Sequence, residues 1–380
     1  MAKRATVEPV KRKAKAESTD LSSQLVSLIN KSGDFASLMD DEDLLAPVKE
    51  WIKTDIPGFD YAVSMGKGIP VGRTILLYGG EGSSKTSVCC LLAKKFQDVG
   101  GVTVYLDFET PAVDTRHLKN YGVESKSFVY VTPDYAEDGY NTMWTVLEAQ
   151  TRKIDAGEET GPMLIVWDSM ANACPRDIYA ADAEDKFVGA LARVNAQELS
   201  KLPKRLSRAR ATLIIINQVS TKISIGPSYG GDNENLPGGR KQRFVSSQIV
   251  KLARVKTLTR KVGDRTVTYG MVAKAQSKFK GRFAPIGTSG EYVVLFGDSK
   301  NSGCNRAQSL LHTLKQFKLV KIAGQTISLC PALGIDGTVK KTEWTAFSEE
   351  NWGTIMDVLN EKFNSDTIYN PEIENEEGEE

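Results

Sequence analysis

Between residues 71 and 218 one pattern repeats along the chain: a short, continuous apolar run, then a longer amphipathic stretch. The runs RTILLYG (73–79), VTVYLDF (102–108), SFVYVT (127–132), MLIVW (163–167) and TLIIIN (212–217) read as strands buried on both faces. Amphipathic segments at 85–98, 114–121, 138–154 and 185–209 supply helices between them. Such alternation predicts an α/β fold, a mostly parallel twisted sheet flanked by helices. Beyond it the chain turns antiparallel: VSSQIVKLARVKT, a turn around Val262-Gly263-Asp264, then TVTYGMVAKAQ, a hairpin extending the sheet. SLLHTLKQF and ENWGTIMDVLNEKF are amphipathic helices of a small α+β C-terminal domain, 299–366. Near the other end Leu21, Leu25, Leu28 and Ile29 share one face of a short helix, which Asp20 or Ser22 can cap and Gly33 can end. That helix belongs to a segment, 20–50, expected to serve oligomerisation, because it cannot bury its stripe alone. Residues 1–19 read as a disordered basic arm, 51–298 as the core, and 367–380 as an acidic tail.

Composition narrows the class without naming it. With 41% apolar and 26% charged residues in 380, the chain reads as an ordinary globular protein, and no run is long enough to cross a bilayer. Five cysteines without C-x-x-C spacing suggest neither a disulfide framework nor a zinc site, and no secretory signal opens the chain, so a cytoplasmic location is expected. The net charge of +1 conceals an uneven distribution: residues 251–282 carry ten Lys or Arg against Asp264, while PEIENEEGEE at the end holds six glutamates. This suggests a polyanion site and something that competes for it; the alternative is a solvated hairpin and a solubilising tail.

The candidate chemistry starts at GGEGSSKTS, residues 79–87, between a predicted strand and a predicted helix. It fits the phosphate-loop pattern G-x-x-x-x-G-K-[ST] at Gly79, Lys85 and Thr86, with Ser84 where the second glycine belongs. Such a loop works because backbone N–H groups and a helix N-terminus converge on an anion; Gly80, Glu81, Gly82, Ser83 and Ser87 complete it. Three further runs end in polar residues at the carboxyl edge of the sheet, where ligands of open α/β folds bind: Glu109, then Asp168 and Ser169, then Asn217 and Gln218. These types suit nucleotide hydrolysis, with ATP and Mg2+ as the implied ligands. Thr86 and Asp168 are assigned to the metal, Glu109 to the attacking water as general base, and Gln218 to the terminal phosphate. The alternative is that Glu109 or Gln218 merely ends its strand. After Gln218, residues 220–239 are too long and glycine-rich for a packed connection, and Arg240, Lys241 and Arg243 follow as a cluster suited to a phosphodiester backbone.

In their order, IKTDIPGFDYAVSMGKGIPVGRTILLYGGEGSSKTS, VYLDFETPAVDTRHLKNYGV, LIVWDSMANACP and TLIIINQVSTKISIGP make the chain resemble RecA-type homologous recombinases from about Ile52 to Ile322. The resemblance implies a RecA-like phosphate-loop ATPase core and DNA-dependent ATP hydrolysis. It also implies a homo-oligomeric helical filament on single-stranded DNA, and homology search and strand exchange with homologous duplex DNA. Single-strand-binding and loader proteins are the accessory partners it suggests. Position by position, Glu109 matches the catalytic glutamate, Asp168 the Walker B aspartate, and Gln218 the glutamine between terminal phosphate and DNA. Asp114 and His117 match residues around the adenine; Phe244 and Lys278 match positions that reach the neighbouring subunit's nucleotide. The DNA-binding loops would be about 174–188 and 220–239, with Arg193, Lys222, Ile223, Ile225, Gly238, Gly239, Arg240 and Arg243 on the DNA side. Two departures stand out: Ser84, and Gln276 in place of one of two lysines that reach ATP from the next subunit. They keep a second reading open, a paralogue that binds ATP and regulates a filament; a hexameric helicase of related core is a third.

Overall fold

The computed structural model describes residues 21–31, 48–109, 111–179, 189–221, 234–297 and 302–365. The chain divides into two units, one ending at Lys49 and one beginning at Glu50. In the first, α1 (Leu21–Lys31) forms with Leu21, Leu25, Leu28 and Ile29 all exposed. Asp20 and Gly33 lie outside the described residues, as do the basic arm and the acidic tail.

The second unit opens with β1 (Trp51–Ile52), α2 (Pro57–Ser64), β2 (Ile69–Pro70), β3 (Thr74–Gly79), α3 (Lys85–Asp98) and β4 (Val102–Asp107). It continues through α4 (Thr115–Asn120), β5 (Phe128–Val131), α5 (Ala136–Asp155), β6 (Met163–Asp168), α6 (Arg176–Tyr179), α7 (Ala190–Leu199) and α8 (Leu202–Arg208). Then come β7 (Ala211–Gln218), the short strands β8 (Ser220–Thr221) and β9 (Glu234–Asn235), α9 (Lys241–Val245), β10 (Gln248–Val262), β11 (Arg265–Gly281), β12 (Ser289–Leu295) and β13 (Gly303–Asn305). The chain closes with α10 (Arg306–Gln316), β14 (Val320–Ala323), β15 (Thr326–Leu329), β16 (Thr338–Lys340), α11 (Trp344–Glu350) and α12 (Trp352–Ser365).

Nine strands form one sheet in the order β13-β12-β11-β10-β3-β7-β6-β4-β5. From β10 to β5 neighbouring strands run parallel; β11, β12 and β13 add an antiparallel wing. Strands β3 and β6 are buried along their whole length, because apolar layers cover both faces. Alternation sorts the side chains: Ile75, Leu77, Ile214 and Ile216 join α2 and α3 residues such as Phe59, Val88 and Phe96. Leu76, Tyr78, Leu213 and Ile215 join Tyr140, Met143, Leu199 and Leu206 on the other face. Each such apolar side chain contributes about 1.5–3 kcal/mol on full burial, enough to make the register of the parallel strands unambiguous.

Two expectations are refined. The helix expected over 185–209 is broken: residues 180–188 are outside the described set, and the rest forms two helices, α7 and α8. Pro203 stands in the first turn of α8, where its missing N–H costs nothing; within one continuous helix it would remove an internal bond. The hairpin turns at Gly263-Asp264 with Val262 opposite Arg265, yet β10 and β11 run 15 and 17 residues, far beyond the sheet. Their distal halves are mostly exposed, so Arg260, Lys261 and Arg265 lie on a projecting ribbon. Register shifts at Arg254/Lys256 and Leu258/Thr259 mark where the ribbon changes its pairing.

The C-terminal elements pack around Leu310, Leu314, Trp344, Ile355, Leu359 and Phe363, and this cluster includes Tyr61 and Met65, from α2 and the residue that caps it. β13 pairs with β12 in the main sheet. The same α2 carries Asp60, whose buried carboxylate accepts from the Thr54 backbone N–H at 3.0 Å and the Thr54 hydroxyl at 2.8 Å. Burial pushes this carboxyl up to about 7, against the lowering effect of the Thr54 bonds. A carboxyl raised by folding favours the folded chain when protonated. Its contribution is full below the ordinary value of 3.8 and is lost as pH rises through about 7. Asp60→Asn should therefore flatten the pH dependence of stability between those values, where one such group contributes up to about 1.4 kcal/mol per pH unit. Urea denaturation of parent and variant across this range checks it; parallel curves would remove the assignment.

Candidate functional site

The carboxyl ends of β3, β4, β6 and β7 lie along one edge of the sheet, and the polar residues at those ends meet there. Strand β3 delivers Gly79 into a turn that closes on itself. Ser83 Oγ donates to the Gly80 carbonyl at 2.8 Å, and Lys85 Nζ donates to the Gly79 and Gly80 carbonyls at 3.0 and 2.8 Å. Gly79 is required by close approach, since a Cβ there would lie 2.1 Å from the Leu252 carbonyl oxygen. Ser84 has φ 73, a left-handed conformation that costs an L-residue roughly 1–2 kcal/mol. α3 starts at Lys85, so Lys85, Thr86 and Ser87 form its first turn. Glu81 is exposed at the rim of the loop. Arg254, at the root of the ribbon, donates to the Gly82 carbonyl at 3.2 Å.

Beside the loop stand the carboxylates. Glu109 Oε1 accepts from Ser169 Oγ at 2.7 Å and from Gln218 Nε2 at 2.8 Å, joining three strand ends through one oxygen. Its backbone is held by Asp107, which accepts from the Glu109 and Ala112 N–H groups at 2.7 and 2.6 Å and from the Tyr130 hydroxyl. Asp168 is buried and accepts from the Tyr105 hydroxyl. Burial pushes its carboxyl up to about 7; the Tyr105 bond opposes this, Glu109 and Asp107 reinforce it, and Lys85 opposes it. Burial likewise lowers the Lys85 ammonium, while Asp168, Glu109 and Glu81 pull it back. The loop lysine and the two predicted carboxylates therefore share one electrostatic environment.

From Gln218 a second network runs away from the edge. Asn217 Oδ1 accepts from the Gln218 N–H at 2.9 Å, and Asn217 Nδ2 donates to the Pro237 carbonyl and to Gln242 Oε1, both at 2.9 Å. Gln242 in turn donates to the Pro237 and Gly239 carbonyls, at 2.5 and 3.0 Å. β8 pairs with β9, so the segment after Gln218 leaves and returns through a two-stranded stem. The returning strand is anchored by Glu234, which accepts from Tyr78 at 2.8 Å and from Lys251. Burial opposes ionisation of Glu234, but the Lys251 and Tyr78 bonds outweigh it and hold the carboxyl below its usual range, helped by the charge of Lys278. Tyr78 directly precedes Gly79, so the stem and the phosphate loop share a strand.

The other expected residues are placed as follows. Asp114 caps α4 by accepting from the His117 N–H at 2.8 Å, with the His117 ring 3.2 Å away; both side chains are exposed. Arg193 and Arg240 are exposed, and Phe244 is 71% exposed. Arg243 is engaged within its own chain, 4.1 Å over the Phe279 ring and donating to the Glu234 carbonyl. Gln276 Nε2 donates to the Gly287 carbonyl at 3.4 Å. Lys222, Ile223 and Ile225 lie outside the described residues. Asp107, Tyr105, Glu234 and Asn195 were not found from the sequence. Tyr105 and Asp107 sit inside a strand run and the other two have no local motif, so only cross-chain geometry reveals them.

A phosphate loop at the carboxyl edge of a parallel sheet, with carboxylates and an amide converging on it, defines a nucleoside-triphosphatase architecture. Comparison with known proteins makes this specific. Residues 21–297 match the RecA N-terminal domain family. The chain is 29% identical over 360 residues to Protein RecA of Sulfurimonas denitrificans, covering 95% of this chain and 92% of that one. It is 31% identical over 275 residues to Protein RecA of Bifidobacterium breve, covering 72% of this chain and 64% of that one. Against Protein RecA of Campylobacter lari it is 33% identical over 247 residues, 65% and 66% of the two chains. The chain belongs to the RecA family, DNA-dependent ATPases of homologous recombination.

The return of the stem depends on close packing at Gly238. It has φ 86, and a Cβ there would lie 2.7 Å from Met170 Cγ and 2.9 Å from Asn195 Nδ2. Asn195 also donates to the Gly238 carbonyl at 2.7 Å. Gly238→Ala should destabilise the protein by about 1–3 kcal/mol. Chemical denaturation measures this, and an unchanged midpoint would show that the contact is easily relaxed.

Proposed function

We propose that this chain binds ATP in the loop Gly79–Ser87 and hydrolyses it as a helical filament on single-stranded DNA, using the filament for homology search and strand exchange with homologous duplex DNA. The observation that carries this reading is the bridge at Glu109 Oε1, which joins Gln218 and Ser169 next to the loop lysine. Lys85 supplies the charge beside the phosphates, and Glu109 acts as general base on the attacking water. Gln218 meets the terminal phosphate; its amide now donates to Glu109, so a triphosphate that draws the amide away would leave that carboxylate oxygen with one donor fewer. The Asn217–Gln242–Pro237 network and the β8–β9 stem carry that change into the segment 220–239, which with its Gly238 and Gly239 takes the DNA role alongside the segment 174–188, Arg193, Arg240 and Arg243. Asp114 and His117 flank the adenine, and Phe244 and Lys278 serve the nucleotide of a neighbouring subunit.

Magnesium fits the donor set. Asp168 is a buried carboxylate whose charge is disfavoured by burial and by Glu109 and Asp107, a local excess of negative charge that a divalent ion relieves. Among the described residues no three His, Cys, Asp or Glu side chains form a metal-binding group, so phosphate and water oxygens would complete the shell, as magnesium prefers. Thr86 and Asp168 would hold the ion, which neutralises charge developing on the phosphates when bound. On this reading the protein works in the cytoplasm, at the nucleoid or, if it is phage-encoded, in the host cell, with single-strand-binding and loader proteins as its proposed accessory partners.

Lys85→Ala should abolish ATP binding in a fluorescent-nucleotide titration, and retained affinity would mean that the loop is not the phosphate site. Glu109→Gln should keep nucleotide binding while lowering kcat by about a hundredfold or more, and should leave filaments locked on single-stranded DNA. Phosphate release and electron microscopy on the same mixtures test both parts; parental turnover would remove Glu109 from the role of base.

A further inference from the structure

Ser84 departs from the phosphate-loop pattern, and a residue far along the chain answers the departure. Its hydroxyl lies 2.7 Å from the phenol oxygen of Tyr292, 208 residues away, and also donates to the Ser83 carbonyl. A hydroxyl has one hydrogen to give, so with that of Ser84 directed at Ser83 the phenol is the donor in the other bond. The order is Tyr292 to Ser84 to Ser83, a relay in which each bond polarises the next. Burial pushes the Tyr292 phenol far above its ordinary range, so it keeps the proton it donates.

The anchor is rigid for reasons that have nothing to do with the loop. Tyr292 is fully buried, its ring meets Phe59 edge-on at 5.8 Å, and β12 is held between β11 and β13. The sheet therefore decides where the phenol oxygen sits, and the loop must come to it. Ser84 is itself buried and left-handed at φ 73, a backbone that a glycine enters without strain and a serine keeps only when held. The bond also satisfies the phenol, which burial would otherwise leave without a partner.

We propose that Tyr292 is a positioning residue for the phosphate loop: with Ser84 it forms a pair that replaces the loop glycine, fixing the Ser83–Ser84 peptide in the turn that presents backbone N–H groups to the nucleotide. A glycine would reach this turn but also leave it readily; the tethered serine is confined to it. Tyr292 acts through Ser84 and touches no nucleotide. This rests on the loop being the ATP site.

The test measures ATP affinity, kcat, KM and Tm for the parent, Tyr292→Phe, Ser84→Gly, the double variant and Lys85→Ala. Tyr292→Phe keeps the ring, and it should weaken ATP binding by about two- to tenfold, the range for one net hydrogen bond, raising KM more than it lowers kcat. With Ser84→Gly already in place, Tyr292→Phe should change affinity by less than about twofold, because the phenol no longer has a hydroxyl in the loop to hold. Parental affinity in Tyr292→Phe overturns the proposal, even with a lowered Tm, since the pair would then serve core packing alone. An equal loss of affinity from Tyr292→Phe whether Ser84 is kept or replaced by glycine also overturns it. Failure of the underlying reading looks different: Lys85→Ala would bind ATP like the parent, and the proposal would fall with it.

Discussion

One carboxylate oxygen, Oε1 of Glu109, receives both the Ser169 hydroxyl and the Gln218 amide, and the arrangement of the site depends on it. These donors come from different strands, and the sheet order β7-β6-β4 brings the three strand ends side by side. Parallel pairing is what makes this work: every strand from β10 to β5 points the same way, so their ends face one edge. Burial of Ile75, Leu77, Ile214 and Ile216 on one face and Leu76, Leu213 and Ile215 on the other holds the register. A slip by one residue would swap the two apolar sets between the faces, each against helices packed for the other, and Glu109 and Gln218 would part.

Charge makes the edge responsive. The charges of Glu109 and Asp107 both act on Asp168, with Lys85 as the opposing cation, and burial makes each charge on Asp168 and Lys85 harder to keep. These groups are already desolvated and oriented, the condition under which fixed charges act most strongly. The same edge is tied to the stem of the segment 222–233 by two routes. One runs through Asn217, Gln242 and Pro237; the other runs from Tyr78 to Glu234. The first route starts at Gln218 through its N–H on Asn217, and the second starts at Tyr78, one residue before the loop.

Much of this was legible in the linear pattern. Five apolar runs became five parallel strands, four of them buried because neighbours and helices surround them; β5 departs from that expectation, since it ends the sheet with β4 as its one partner and leaves Val129 and Tyr130 exposed. The polar residues at their ends, Glu109, Asp168 and Gln218, converge because the carboxyl edge is where such strands stop. Helix α1 also formed where its stripe predicted. Other features had no local sign. The split of α7 from α8 turned on a proline in the first turn, the length of the ribbon on pairing between its own strands, and the inward turn of Arg243 on the Phe279 ring. Asp107 reads as part of a strand, and Glu234 as one polar residue in a glycine-rich loop; their roles come from partners such as Tyr130, Tyr78 and Lys251.

By itself the sequence determined the layer order, the phosphate loop and the types of chemistry at the strand ends, because periodicity and backbone requirements act over a few residues. Only the tertiary structure decided which side chains complete one another. Ser84 reads as a defect in a motif until Tyr292 is found beside it, and Gln218 as the end of a strand until Glu109 accepts its amide. The reason is physical: a hydrogen bond depends on atoms within about 3 Å, and residues one or two hundred positions apart reach that distance only when the sheet has formed.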